Sequence, residues 1–274
     1  MLHGIDISHH QSNINIDNVD FDFCIVKATQ GVSYRDNCFS MFADKVLAKN
    51  KLLGIYHYFG GNDPLLEADH FCNVIKQYVG KAILVLDWEG AQNKMFSKGQ
   101  TIAKPFLDAV YERTGVRPMI YMSKSVCRSY DWSEVVKSNY GLWVAQYADS
   151  NPTGYKAQPW TDSKGLGAFP SYAIFQYSSH GRLEGYSGNL DLDIAYMTKE
   201  AWYKYAGKSA AEDVEYYTSP EFTLIDSLNK IGVDSSYHHR YKIAMANGIK
   251  NYCGTAEQNI ELLYLLNSGK LIKP

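Results

Sequence analysis

The stretch Ile83-Leu84-Val85-Leu86-Asp87-Trp88-Glu89 decides the reading of this chain. Its continuous apolar run has the character of a strand buried on both faces, as in a parallel sheet. The run stops at two carboxylates one residue apart. Side chains alternate along a strand, so Asp87 and Glu89 point one way and Trp88 the other. Two carboxylates held at the end of a buried strand repel each other and lose hydration, which pushes at least one pKa upward. A carboxyl that stays protonated near neutrality is what acid-catalysed glycoside hydrolysis requires. The plainer alternative is a pair of solvated acids capping a strand.

Working outward, short apolar runs recur at 2–7, 23–28, 52–59, 82–88, 119–122, 142–146, 173–176 and 190–194. Helical patterns separate the early ones, at 36–49, 64–78 and 99–114, the second opening on Pro64, a residue suited to a first helical turn. Alternation of this kind predicts βα units, and eight runs predict a closed barrel. Residues 151–169 hold several Gly and Pro and read as a long loop, so the barrel is expected to be regular early and irregular late. The expected fold class is α/β: an irregular TIM-like β/α barrel followed by a small, mainly helical α/β domain. In such a barrel, reacting groups gather where strands end. Asp6 lies near the end of the first run and Asp191 and Asp193 in the last, so these acids converge with Asp87 and Glu89 on one rim.

These residues carry a resemblance. Gly4-Ile5-Asp6-Ile7-Ser8-His9-His10-Gln11, Phe23 to Gly31, Gly54-Ile55-Tyr56-His57-Tyr58-Phe59, Leu86-Asp87-Trp88-Glu89, Leu142 to Tyr147 and Gly188-Asn189-Leu190-Asp191-Leu192-Asp193 resemble, in order, segments of glycoside hydrolase family 25 lysozymes. The resemblance implies a muramidase cleaving the β-1,4 bond between N-acetylmuramic acid and N-acetylglucosamine of peptidoglycan. It implies Glu89 as general acid, with Asp6, Asp87 and Asp191 completing an acidic floor. Two courses stay open: Asp87 orients the substrate's N-acetyl group for attack, or a carboxylate activates water. The chain departs from the family at Gln30, where Glu is frequent, at Phe175, where Trp is frequent, and at Asp193, where Asn is common.

Tyr58, Tyr121, Trp143, Tyr147 and Tyr177 lie in or beside the expected strands and are candidates for stacking on sugar rings, with core packing as the alternative. Tyr56, Trp88 and Phe175 are expected to face the helices. His57 is a candidate for the groove, again against a core role. His9, His10 and His57 bring no H-E-x-x-H motif or Cys/His cluster, so no metal and no cofactor is expected.

A net charge of −2 with mixed signs argues against broad nucleic-acid binding, and no apolar run is long enough to span a bilayer. The start shows no basic stretch followed by an apolar one, so the expectation is a host-cytoplasmic protein that meets the wall after a holin-type membrane breach. Cys24, Cys38, Cys72, Cys127 and Cys253 form neither metal spacing nor an even framework and read as reduced thiols.

After 197 the composition shifts. The expected division is a catalytic barrel at 1–197, a linker at 198–218, part of it helical, and a wall-binding domain at 219–274. The tail shows three helical patterns and short strands near 215–218 and 270–272, with Thr255 and Gln258 spaced as a capping box. It resembles a C-terminal repeat of clostridial wall-lytic enzymes and phage endolysins, which implies a wall glycan or polymer as ligand. Tyr237, Arg240 and Tyr252 are its candidate contacts. So small a core is marginal alone, so dimerisation through the tail is expected. The readings carried forward are a phage endolysin, a bacterial autolysin of the same chemistry, and a catalytically silent glycan-binding protein.

Overall fold

The computed structural model describes residues 1–207 and 223–274, and between them only the backbone pairing of Tyr216–Tyr217. The greater part of the expected linker therefore lies outside the described residues. The chain divides into two compact units, Met1–Ser209 and Ala210–Pro274.

The first unit is built on strands β1 (Leu2–Ile7), β2 (Phe23–Gln30), β3 (Tyr34–Arg35), β4 (Leu52–Tyr58), β5 (Ala82–Asp87), β6 (Met119–Ser123), β7 (Gly141–Ala145), β8 (Ile174–Leu183) and β9 (Tyr186–Ala195). Helices α1 (Phe39–Ala48), α2 (Pro64–Ile75), α3 (Gln100–Thr114), α4 (Lys124–Ser129), α5 (Ser133–Lys137) and α6 (Lys199–Tyr205) surround them. The sheet runs β1-β9-β8-β7-β6-β5-β4-β2-β3, and a β1–β2 pairing closes eight of its strands into a barrel. The early helices fall where periodicity puts them. Helix α2 starts because Pro64 is preset for a first turn and the Asp63 carboxylate accepts the amides of Leu65 and Leu66 at 2.8 and 3.2 Å.

The last strand departs from expectation. β1 to β8 pair in parallel around the barrel, apart from the short β3, but β9 is antiparallel to both β8 and β1. A two-residue turn at Glu184 and Gly185 joins β8 to β9, and so short a link permits only an antiparallel neighbour. The polar run Ser178-Ser179-His180-Gly181-Arg182, which reads as loop, is strand continuing past the barrel rim.

Alternation sorts the core into two layers. Outward side chains such as Ile5, Val26, Ile55, Leu84, Leu86, Ile120, Val144 and Ile194 pack under the helices. Inward ones, among them Leu2, Phe23, Ile25, Ile83, Val85, Met119 and Ile174, fill the barrel below the cleft. The filling is tight: a Cβ on Gly4 would lie 2.4 Å from the Phe23 ring. Trp202 on α6 is fully buried in this inner core, 4.7 Å from the Phe23 ring, and its indole N–H donates to the Leu53 carbonyl. The expected connector thus begins as a helix that plugs the barrel floor.

In the second unit, α7 (Leu224–Lys230), α8 (Tyr237–Ala246) and α9 (Ala256–Asn267) enclose Leu228, Ile243, Ala244, Leu262 and Leu266, and the strand at Leu271–Ile272 pairs with Tyr216–Tyr217. Thr255 and Gln258 form the expected capping box. Two of its candidate contacts turn inward. Tyr252 is 3% exposed, and the Arg240 guanidinium is held by the Ser235 carbonyl, the Tyr252 hydroxyl and Asn259. Arginine and tyrosine here satisfy each other as a polar core, whereas Tyr237 stays half exposed.

Candidate active site

Strand β5 delivers Asp87 as its last residue, buried and pointing into the barrel. Trp88 turns outward and packs 4.9 Å from the Phe59 ring, which fixes the backbone between the two acids. Glu89 follows, half-buried at the cleft. On β1 and β9, Asp6 pairs in register with Asp191 and Gly4 with Asp193, so both aspartates of β9 face inward beside Asp6. Five carboxyls therefore meet at one open end of the barrel.

Gln176 on β8 ties this floor together. Its amide donates to Asp6 at 2.7 Å, and its carbonyl oxygen accepts the hydroxyls of Tyr121 at 2.7 Å and Tyr147 at 2.5 Å. Below it, the Trp143 indole donates to Asp193 at 2.8 Å. Lys27 lies in the cleft by the alternation that also turns Phe23 and Ile25 inward, and β2 bulges after it. Ala28 and Thr29 both turn outward, while Lys27 stays inside, bonded to Gln30 and 4.7 Å from the Tyr58 ring centroid.

Burial governs the charges. It raises Asp6 well above the usual carboxylate range, helped by Asp193, and raises Asp193 in the same way. Asp87 is raised well by burial and then by Glu89, and Glu89 is raised by burial against the pull of Tyr121 and Lys27. Asp191 is pushed up to about 8, first by burial and then by Asp6 and Glu89. The sign for stability follows. A carboxyl whose folded pKa is raised binds more protons folded than unfolded, so it contributes fully below its unfolded value near 4 and loses that contribution as pH rises toward its folded value. Asp191→Asn should therefore raise the melting temperature relative to wild type at pH 8 and by much less at pH 4. Paired thermal melts read this, and an equal difference at both pH values would contradict it.

The structure brings Tyr58, Tyr121 and Tyr147 to the cleft, with Tyr147 40% exposed and Tyr58 donating to the Ala91 carbonyl. Trp143 points into the barrel but is buried under the carboxyls, so it supports the floor and presents no face to a sugar. Two candidates are corrected. His57 points outward under α2, fully buried: its ring donates to Glu67 at 2.8 Å and accepts from Thr29. Burial holds its pKa down, which keeps the ring neutral for that pair of bonds. Tyr177 also lies in the outer layer, where its hydroxyl accepts the Lys156 amide. Conversely Tyr56, expected among the helices, faces inward, and the charges of Asp6, Asp87 and Asp191 reinforce burial in raising its hydroxyl pKa. Lys27 and Gln176 are the other members that the sequence reading passed over.

A barrel with acids from three strands gathered at one mouth over an apolar plug is a scaffold for carboxyl chemistry. Residues 5–186 match glycosyl hydrolases family 25, and the chain belongs to that family. It is 28% identical over 195 residues to the autolytic lysozyme of Clostridium acetobutylicum, covering 70% of this chain and 55% of that one, so it spans about half the length of that relative. The bacterial lysozyme from Streptomyces coelicolor shares the fold with a TM-score of 0.60 at 23% identity, over 75% of this chain and 96% of that chain. Over 47 residues, 17% of either protein, the chain is also 51% identical to the L-alanyl-D-glutamate peptidase of Listeria phage A118.

Proposed function

We propose that this chain is an N-acetylmuramidase that hydrolyses the β-1,4 bond between N-acetylmuramic acid and N-acetylglucosamine, serving a phage as an endolysin. The observation that carries the reading is the Asp87–Glu89 pair, raised together by burial in an acid-floored cleft. Like charges this close share one proton over a range of pH. Among the described residues Asp87 Oδ1 is buried without a hydrogen-bond partner, an open acceptor in the cleft. A substrate N-acetyl N–H donating to it favours ionised Asp87 and leaves the proton on Glu89. Glu89 then protonates the departing glycosidic oxygen while Asp87 orients the acetamido oxygen to attack the anomeric carbon, and water opens the resulting oxazoline ring, returning a proton to Glu89. Asp6, held by Gln176, and Asp191, its register partner on β9, shape the floor beneath the reacting sugar.

The phage role is supported by likeness to a Listeria phage protein. We assign that shared 47-residue stretch to the C-terminal unit, since the family match ends at residue 186 and a peptidase attacks a different bond. A module common to enzymes of different bond specificity is suited to holding a wall polymer, with Tyr237 among its exposed aromatics.

Mass spectrometry of borohydride-reduced digests of purified peptidoglycan tests the bond assignment. Reduced muramic acid at the new ends is expected. Reduced glucosamine or free peptides would overturn it, and no release at all would favour the silent glycan-binding reading.

A further inference from the structure

We propose that Arg128, with the hydroxyls of Ser123 and Ser125, forms a pocket beside Glu89 that receives a carboxylate of the substrate's peptide stem, so that the cleft favours glycan whose muramic acid still carries peptide. The proposal rests on the muramidase reading above and names a determinant of substrate choice within that cleft.

A cavity of about 320 Å³ opens next to Glu89, with Tyr147 on its wall and Ser123, Lys124, Ser125 and Arg128 across it. β6 ends at Ser123 and α4 starts at the next residue, which brings this polar segment to the cleft mouth. The Ser123 and Ser125 hydroxyls lie 2.8 Å apart. The two cations of the cavity differ in kind. Lys124 is 4% exposed and fully engaged: its ammonium meets the Asp162 carboxylate at 2.7 Å and also donates to Thr161 and the Asp162 carbonyl. That knot, closed by Gln146, fastens the long 151–169 loop to the barrel. Arg128, one turn further along α4, is exposed, and among the described residues no carboxylate pairs with it.

An anion approaching a floor of carboxyls is repelled unless a cation meets it. On this side of Glu89 the cation left to do so is Arg128, and guanidinium matches a carboxylate with two parallel N–H donors. The opposite side of the cleft has a different character. There the larger cavity is lined by Gln30, Asn62 and Gln92, whose amides suit neutral acetamido groups, and Lys27 is held by Gln30 and Tyr58. Arg128 is thus the exposed cation of the cavity that Glu89 itself lines, and the free carboxylates of intact peptidoglycan lie on its peptide stems.

The test compares wild type, Arg128→Ala and Arg128→Lys on purified peptidoglycan and on the same peptidoglycan after carbodiimide coupling to methylamine has capped its stem carboxylates, reading kcat/KM from new reducing ends at low salt. Wild type should prefer the uncapped peptidoglycan by about fivefold, the scale of a solvent-accessible ion pair. Arg128→Ala should lose that preference through KM, and Arg128→Lys should keep most of it. Equal cleavage of both glycans by wild type, or an Arg128→Ala loss of the same size on both, would overturn the proposal. If wild type cuts neither glycan, the muramidase reading itself falls and this one with it.

Discussion

Glu89→Gln should lower kcat by about 10²–10⁴-fold, the usual contribution of a positioned general acid, while KM changes by no more than a few fold. Glutamine keeps the shape and the polar contacts of the side chain but has no proton to give. The effect on folding should run the other way. Burial raises the Glu89 pKa, so at neutral pH this carboxyl is a cost to the folded state, and replacing it removes that cost. Loss of turnover with an unchanged or higher melting temperature separates a catalytic role from a structural one. Steady-state kinetics on solubilised peptidoglycan beside a thermal melt give both readings. A variant within threefold of wild type in kcat would remove Glu89 from the chemistry.

Trp202→Ala should destabilise the first unit by about 3–5 kcal/mol, the range for emptying a large aromatic site in a core. Trp202 is fully buried, packs tilted against Phe23 and donates its indole N–H to the Leu53 carbonyl, so truncation leaves a cavity and removes that bond. For a unit of this size the melting temperature should fall by roughly 6–20 °C. The consequence reaches the cleft, because this plug is the lower end of the apolar stack that keeps water from the carboxyls above. Calorimetry on the full chain reads the loss. A shift below 2 °C would mean that α6 is not part of the barrel's stability.

Much of this was legible before any coordinates. The Asp87/Glu89 alternation, the early helices and the place of Asp6 at a strand end follow from strand and helix periods alone, whereas Asp191, near the start of its run, reaches the same rim because β9 is antiparallel. The misreadings share a cause, which is that parity was applied to single residues and not carried along each strand. Tyr58 was read as facing the groove, and Tyr56, two residues earlier, faces inward with it. Phe175 was read as outward, and Tyr177 goes outward with it. His57, between Tyr56 and Tyr58, must then point away. Lys27 shares the inward parity of Phe23 and Ile25, so it too follows from alternation, whereas the bulge that turns Thr29 outward has no local signal. Gln176 gains its importance from three partners that are distant in sequence. The antiparallel β9 was hidden because the hairpin's outer half is polar, which removes the hydrophobic mark of a strand. Trp202 looked like part of a connector because one tryptophan in a charged, tyrosine-rich segment has no period to reveal its target.

The central claim is that the buried acid floor makes Glu89 hold its proton above the range of an ordinary glutamic acid. Carbon-13 NMR of protein labelled at glutamate side-chain carboxyls tests it most directly, with the Glu89 resonance assigned by its absence in Glu89→Gln. The account predicts that this signal titrates above the ordinary value of 4.5, displaced by burial. Titration at or below 4.5 would contradict it.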